Sequence, residues 1–158
     1  KKTKDERIAK GLGFLTSLGQ GDVLVVSGSR DFAYFGEMMT RLSLEQKISG
    51  VVINGLTRDS FFTQKANLPI FSRGYSPVDI KGKGCVKECD VKINIDGIAV
   101  HSGDYIFGDS DGVVFIPGKY AEKIFSKVNA LAKEESMVKR MIAKKISIKK
   151  ILKLVDHF

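Results

Sequence analysis

Cysteine, histidine and proline are scarce in this chain: two, two and three residues respectively among 158. Two cysteines, Cys85 and Cys89, do not make the disulfide framework of a small secreted domain. Their Cys-x3-Cys spacing finds no partner in His101 or His157, which are distant and show no ligand spacing, so the thiols read as structural rather than zinc-binding. No Ser-His-Asp or Cys-His arrangement emerges. No repeat, low-complexity stretch or linker is visible, so residues 1–158 read as a single domain. No window reaches the roughly 18 uninterrupted apolar residues of a membrane span, which argues against a membrane partner. The first residues, Lys-Lys-Thr-Lys-Asp, contain neither Met nor an apolar signal core. That start leads us to expect a fragment or a processed product, and the paucity of cysteine points to a reducing, cytoplasmic setting.

What the chain does have is a core's worth of apolar residues, 43% of the total, and a formal charge of +8. The charge is localised. From Lys119 to Phe158 there are eleven Lys or Arg and four acids, so this segment carries +7 and the first 118 residues are close to neutral. Past Tyr120 and Phe125 no aromatic residue is interleaved with the remaining lysines up to Lys153 to stack on bases, which disfavours a nucleic-acid partner and favours a solvated helix face.

Ile8, Leu12, Leu15 and Leu18 recur at helical spacing, predicting an amphipathic helix over 4–19. Gly19-Gln20-Gly21-Asp22 breaks it. Val23 to Val26 reads as a short buried strand, 27–31 as a loop pivoting on Gly28, and Met38, Leu42, Leu44 and Ile48 as a second helix. A strand over 51–54, a short helix near 59–66 and a strand at 68–71 come next. This alternation implies a parallel α/β layer with right-handed crossovers. After Gly74 the segments 85–93, 98–100, 104–107 and 112–116 are short and rich in β-branched residues, with Asp96-Gly97 and Asp111-Gly112 as turns, which predicts a β-meander. Helices over 118–142 and 147–155 close the chain.

Chemistry concentrates in Gly50 to Asp59, GVVINGLTRD. The apolar run Val51-Val52-Ile53 ends at Asn54-Gly55, and Arg58-Asp59 lies just beyond. A buried strand here delivers a cation and an anion together at its carboxyl end, where open α/β sheets place ligands. Arg grips carboxylate or enolate oxygens in a fork, and Asp holds a hard metal ion through oxygen. Gly36-Glu37-Met38-Met39 is predicted to open the second helix, whose first amides lack internal partners and favour an anion. In a parallel sheet, this helix start and the strand end share an edge. A 2-oxo acid there would rest its carboxylate on the helix start and its keto oxygen between Arg58 and a divalent cation.

Other matches are discounted. Asp109-Ser110-Asp111-Gly112 lacks the further ligands of a Ca²⁺ loop and reads as a hairpin turn. Gly11-Leu12-Gly13 has no preceding strand and Thr16 where a dinucleotide fingerprint needs Gly. Gly82-Lys83-Gly84 has no Ser or Thr after a Lys and no helix to open. Lys81, Lys83 and Lys87 read as lining a loop beside the site.

Twenty residues separate Glu37 from Arg58, giving acid-x20-Arg-Asp with Gly36 before the acid. This pattern resembles the metal-dependent class II 4-hydroxy-4-methyl-2-oxoglutarate aldolases, whose fold is shared with the regulator of ribonuclease activity A. The similarity runs from about Gly21 to Ser147 and includes GDVLVV (21–26), IFSRG (70–74) and SGDYIFGDSDGVVFIP (102–117). It implies an α/β fold of the swivelling β/β/α type, with a parallel α/β layer, a β-meander and C-terminal helices. It implies that Arg58 contacts the pyruvyl oxygens, that Asp59 ligates Mg²⁺ or Mn²⁺, and that the Met38 and Met39 amides hold the substrate carboxylate. Glu37 would orient water, and Glu134 or Glu135 would reach the site of a neighbouring subunit in a homotrimer or hexamer. The implied activity is a lyase cleaving a 4-hydroxy-2-oxo acid to pyruvate, with oxaloacetate decarboxylation beside it. The alternative is a non-catalytic regulator that binds protein or RNA-processing machinery through the basic C-terminal helices. Regulators of this family often lack the Asp after the Arg, and Asp59 is present. Two departures accompany the likeness: the family's N-terminal segment of some sixty residues is missing, and Ser27 stands where an Asp is usual.

Overall fold

The computed structural model describes residues 6–154. It divides after Phe115 into two compact units. The first unit contains helices α1 (Glu6–Leu15), α2 (Glu37–Glu45) and α3 (Ser60–Thr63), and strands β1 (Val23–Val26), β2 (Ala33–Phe35), β3 (Gly50–Thr57) and β4 (Ile70–Tyr75). It also holds the short strands β5 (Ile93–Ile95), β6 (Ile98–Val100) and β7 (Tyr105–Asp109), with β8 (Gly112–Ile116) at the boundary.

The sheet is parallel, as the alternation of elements predicts, and β3 is its axis. Along one edge β1 pairs with the first half of β3, Val23 opposite Gly50 through Val26 opposite Ile53. The same edge continues with β2, Ala33 opposite Leu56. On the other edge β4 runs the full length, Val51 opposite Ile70 to Thr57 opposite Tyr75. Paired on both sides, β3 is nearly continuously buried, which is why its sequence is an apolar run rather than an alternation. Val51 and Ile53 join Leu15, Leu24, Phe35 and Leu68 in the core.

Several boundaries differ from the sequence reading: the strand expected at 68–71 is Ile70–Tyr75, and the central strand and the loop after β1 differ for a shared local reason. The central strand does not stop at Asn54-Gly55 but continues to Thr57. Its register with β4 shifts between Ile53 and Leu56, and glycine in a strand commonly marks such a bulge or a close backbone approach. Both hold here. A Cβ on Gly55 would lie 2.6 Å from the backbone N and O of Ser29, and Leu56 N donates to Ser29 O at 2.9 Å. The loop after β1 therefore lies on the bulge, and the three residues Ala33–Phe35 beyond that loop form β2, a strand absent from the sequence reading.

The expected meander resolves into two separate two-stranded sheets, β5 with β6 and β7 with β8. Asp96-Gly97 is the predicted turn, with positive φ at both residues (51° and 88°), as a type I′ hairpin requires. Ser110-Asp111 joins β7 to β8, and Asp111 N donates to Asp109 Oδ1 at 2.9 Å. Of the segment 85–93 only Ile93 is in a strand. Asp90 there has φ 55°, incompatible with extended backbone.

The second unit is helical. A 3₁₀ turn (Gly118–Tyr120) leads into α4 (Ala121–Ala143), and α5 (Ile148–Leu152) comes after it. All eleven basic side chains of the segment are exposed, as expected of a solvated face. His157 lies outside the described residues. No helix among the described residues is long and apolar enough to cross a membrane.

The bulge contact yields a test. Gly55→Ala is expected to lower unfolding free energy by about 1–3 kcal/mol through overpacking against rigid backbone, read as a shifted urea midpoint at unchanged slope.

Candidate active site at the end of the central strand

Phe35, the last residue of β2, and Thr57, the last of β3, set this site. The Phe35 carbonyl accepts from both Thr57 Oγ1 at 2.7 Å and Arg58 N at 2.9 Å. With Phe35 anchored, Gly36 becomes the N-cap and Glu37 the first residue of α2. The helix start thus stands beside Arg58 and Asp59, on the edge where the strand ends.

Gly36 is extended, so its role is close approach rather than backbone freedom. A Cβ there would collide with Asp59 Oδ2 and lie 2.6 Å from Arg58 Cγ. Because the space is open, Asp59 Oδ2 accepts from Glu37 N at 2.8 Å. Asp59 itself adopts the left-handed conformation, φ 56° and ψ 44°, and its side chain makes no cap on α3. Non-glycine residues in that conformation are uncommon and cluster at constrained, functional positions. The first intrahelical bond of α2 runs from Thr40 N to Gly36 O. The amides of Glu37, Met38 and Met39 therefore precede the helical ladder, and a carboxylate already occupies the first.

Arg58 is enclosed by acids. Its Nη1 forms a short ion pair with Asp79 Oδ2, while Nε lies 3.7 Å from Asp59 Oδ2. Nε is buried and has no hydrogen-bond partner. A buried guanidinium N–H without an acceptor is a costly arrangement, and here Nε lies against Gly36, where a Cβ would come within 3.0 Å of it. The Arg58 guanidinium, and then the Lys81 amide, hold the Asp79 carboxyl below its ordinary range. A depressed carboxyl pKa adds stability above the unfolded-state value that is lost as pH falls through the folded one. The Arg58–Asp79 pair thus persists at neutral pH, and its contribution is lost as pH falls below the ordinary carboxylate range.

The predicted residues are brought together unequally. Arg58, Asp59 and the α2 start converge. The Glu37 carboxylate instead pairs with Arg41 at 2.7 Å, and the Arg41 guanidinium lies over the Phe62 ring. Met38 is 68% exposed and Met39 is buried, so Met39 presents only its backbone. Glu134 and Glu135 are exposed on α4, with Glu135 3.7 Å from Lys139. Among the described residues no group of three or more His, Cys, Asp or Glu comes together to hold a metal. Asp79 was missed by sequence reading. A signal existed, because Asp79 comes after β4, and parallel strands end on one edge. Of the predicted loop lysines, Lys81 does approach, through its amide on Asp79 Oδ1 at 2.9 Å.

Two cavities of about 610 and 630 Å³ lie elsewhere, lined by β1 and residues from Cys85 to Ile106. Neither is lined by Arg58, Asp59 or Glu37. The second contains Tyr34, whose phenol is pushed up by burial and then by Cys89, and so stays neutral. We favour the strand end as the site despite its openness, because convergent charge and an unsatisfied donor lie there.

The model of the RraA-like family, Aldolase/RraA, matches residues 2–115. Protein DlpA of Legionella pneumophila is 26% identical over 132 residues, which are 82% of this chain and only 22% of that protein. A Bacillus cereus protein named "Putative 4-hydroxy-4-methyl-2-oxoglutarate aldolase" is 32% identical over 117 residues, covering 72% of this chain and 71% of its own. A Streptomyces coelicolor crystal structure, described as an unusual member of the RNase ES inhibitor RraA family, superposes with TM-score 0.74 at 25% identity. It covers 87% of this chain and 70% of its own. Fold, matched span and relatives agree: the chain belongs to the RraA-like family.

Proposed function

We propose that the chain is a divalent-metal-dependent lyase that cleaves a 4-hydroxy-2-oxo acid to pyruvate, and that it decarboxylates oxaloacetate at the same site. The observation carrying this reading is the Arg58–Asp59 pair at the end of β3, against the opening of α2, with Arg58 Nε unsatisfied. The aldolase names among relatives support it.

In this reading the substrate carboxylate lies on the Met38 and Met39 amides, where the helix dipole favours an anion. The Arg58 guanidinium faces the 2-oxo group. Removal of the 4-hydroxyl proton by water, oriented by Glu37, breaks the C3–C4 bond. Its electron pair passes into the C2–C3 bond and the 2-oxygen, and the fixed positive charge of Arg58 stabilises the resulting enolate. Protonation at C3 gives pyruvate. Decarboxylation of oxaloacetate passes through the same enolate, so one site serves both.

Asp59 fits an oxygen-loving cation: its carboxylate is 43% exposed, and Mg²⁺ or Mn²⁺ is commonly held by one or two carboxylates with water in the remaining positions. Such an ion would supply a second positive charge beside the 2-oxo group. Glu37 serves its role once Arg41 releases it. The site's openness fits completion by a neighbouring subunit, with Glu134 or Glu135 as the contributed acid in a homotrimer or hexamer. A cytoplasmic location accords with this chemistry.

The likeness to an RNase ES inhibitor relative and the exposed basic face of α4 and α5 favour a second reading, a regulator binding protein or RNA-processing machinery. Asp59 favours the lyase, since a regulator has no need of a metal ligand.

Pyruvate release from 4-hydroxy-4-methyl-2-oxoglutarate and oxaloacetate is expected with Mg²⁺ and not with EDTA. Arg58→Ala should lower kcat on the order of 10²–10³. No release from folded, metal-supplied protein would reject the lyase, and partner binding that falls steeply with salt would then support the regulator. Asp59→Ala is expected to abolish the Mn²⁺ binding seen by electron paramagnetic resonance; unchanged binding would remove Asp59 as ligand.

A further inference from the structure

We infer that Asp79 is a positioning residue for Arg58, fixing the orientation of the guanidinium at the strand end before substrate arrives; this rests on the lyase reading above. Nothing else in the fold explains how carefully Asp79 is placed. After β4, Ser76 N donates to Thr57 O at 2.9 Å. Ala33 N donates to Val78 O at 2.8 Å, and Ala33 forms an isolated parallel bridge with Asp79. The segment is thereby tied to the ends of both β3 and β2. Its side chain is tied as well, since Asp79 Oδ1 accepts from Lys81 N at 2.9 Å, leaving Oδ2 for Arg58 Nη1.

An arginine has several rotatable bonds and in water samples many rotamers. Here one end of the guanidinium is held by a carboxylate that is itself held by backbone. Nε then stays buried, without an acceptor, 3.7 Å from Asp59 Oδ2. The planar fork is thus oriented before substrate arrives. Displacement of a reacting group by about 1 Å can cost ~10²-fold in rate. Asp79 acts through Arg58 and touches no reacting atom in this scheme.

The test compares Asp79→Ala and Asp79→Asn with the parent, both for pyruvate release and for the ¹⁵N NMR signal of Arg58 Nε. In Asp79→Ala, kcat is expected to fall by about 10- to 100-fold with KM within about twofold. Asp79→Asn keeps an acceptor for Nη1 and should recover most of that loss. The Nε–H signal should be sharp and slow to exchange in the parent and in Asp79→Asn, and broadened or exchanged in Asp79→Ala. A kcat within about twofold in Asp79→Ala, a loss in KM alone, or equal loss in both variants would overturn the inference. So would faster turnover in Asp79→Ala, since Asp79 would then be competing with substrate for the fork. Failure of the lyase reading appears differently, as no release from the parent. In that case the NMR comparison decides: an ordered Nε–H that survives Asp79→Ala overturns the positioning role, and its loss upholds it.

Discussion

The Phe35 carbonyl is the acceptor on which the site depends. It takes two donors from consecutive residues, the Thr57 hydroxyl and the Arg58 amide. One oxygen thereby joins the last residue of β2 to the turn beyond β3. If that junction were looser, Gly36 would not lie against Arg58 and Asp59, and the first amide of α2 would not meet the Asp59 carboxylate. Burial reinforces it: Phe35, Thr57 and Val51 are almost wholly removed from solvent. Buried polar groups are costly unless paired, so Thr57 has a strong reason to keep this geometry.

Around that junction the charges form a chain rather than isolated pairs. Asp79 holds Arg58, Arg58 lies near Asp59, and Asp59 meets the positive end of α2. Exposed ion pairs contribute little to stability as a rule, and these are roughly a third to half exposed. Their arrangement is better explained by orientation than by stabilisation. A guanidinium held by Asp79 on one side and lying near Asp59 on the other is fixed in orientation.

Membership of a family that includes aldolases and ribonuclease regulators leaves chemistry to be argued from the site. Asp59 beside Arg58 and the start of α2 are the features the proposed lyase would use; the exposed lysines of α4 and α5 are those a regulator would use. The basic segment and the strand-end residues lie in different compact units.

Much of this was legible in the chain itself. Hydrophobic periodicity and turn residues located β1, α2 and the β3 core. Asp96-Gly97 marked its hairpin, because only certain residues accept positive φ. The apolar run ahead of Arg58-Asp59 pointed to the candidate site, since the end of a buried parallel strand presents the next side chains at the sheet edge. Three features waited for the tertiary structure. The strand β2 is too short for a period, and it forms because Gly55 lets Ser29 press on the bulge. Glu37 turned toward Arg41, four residues on along α2, rather than toward the strand end. Asp79 reached Arg58 across twenty-one positions, through backbone bonds from β2 and β3 to the segment that carries it. Local sequence determines which conformations a segment prefers; which side chains meet depends on how strands stack and where one backbone can approach another, and those are properties of the packed molecule.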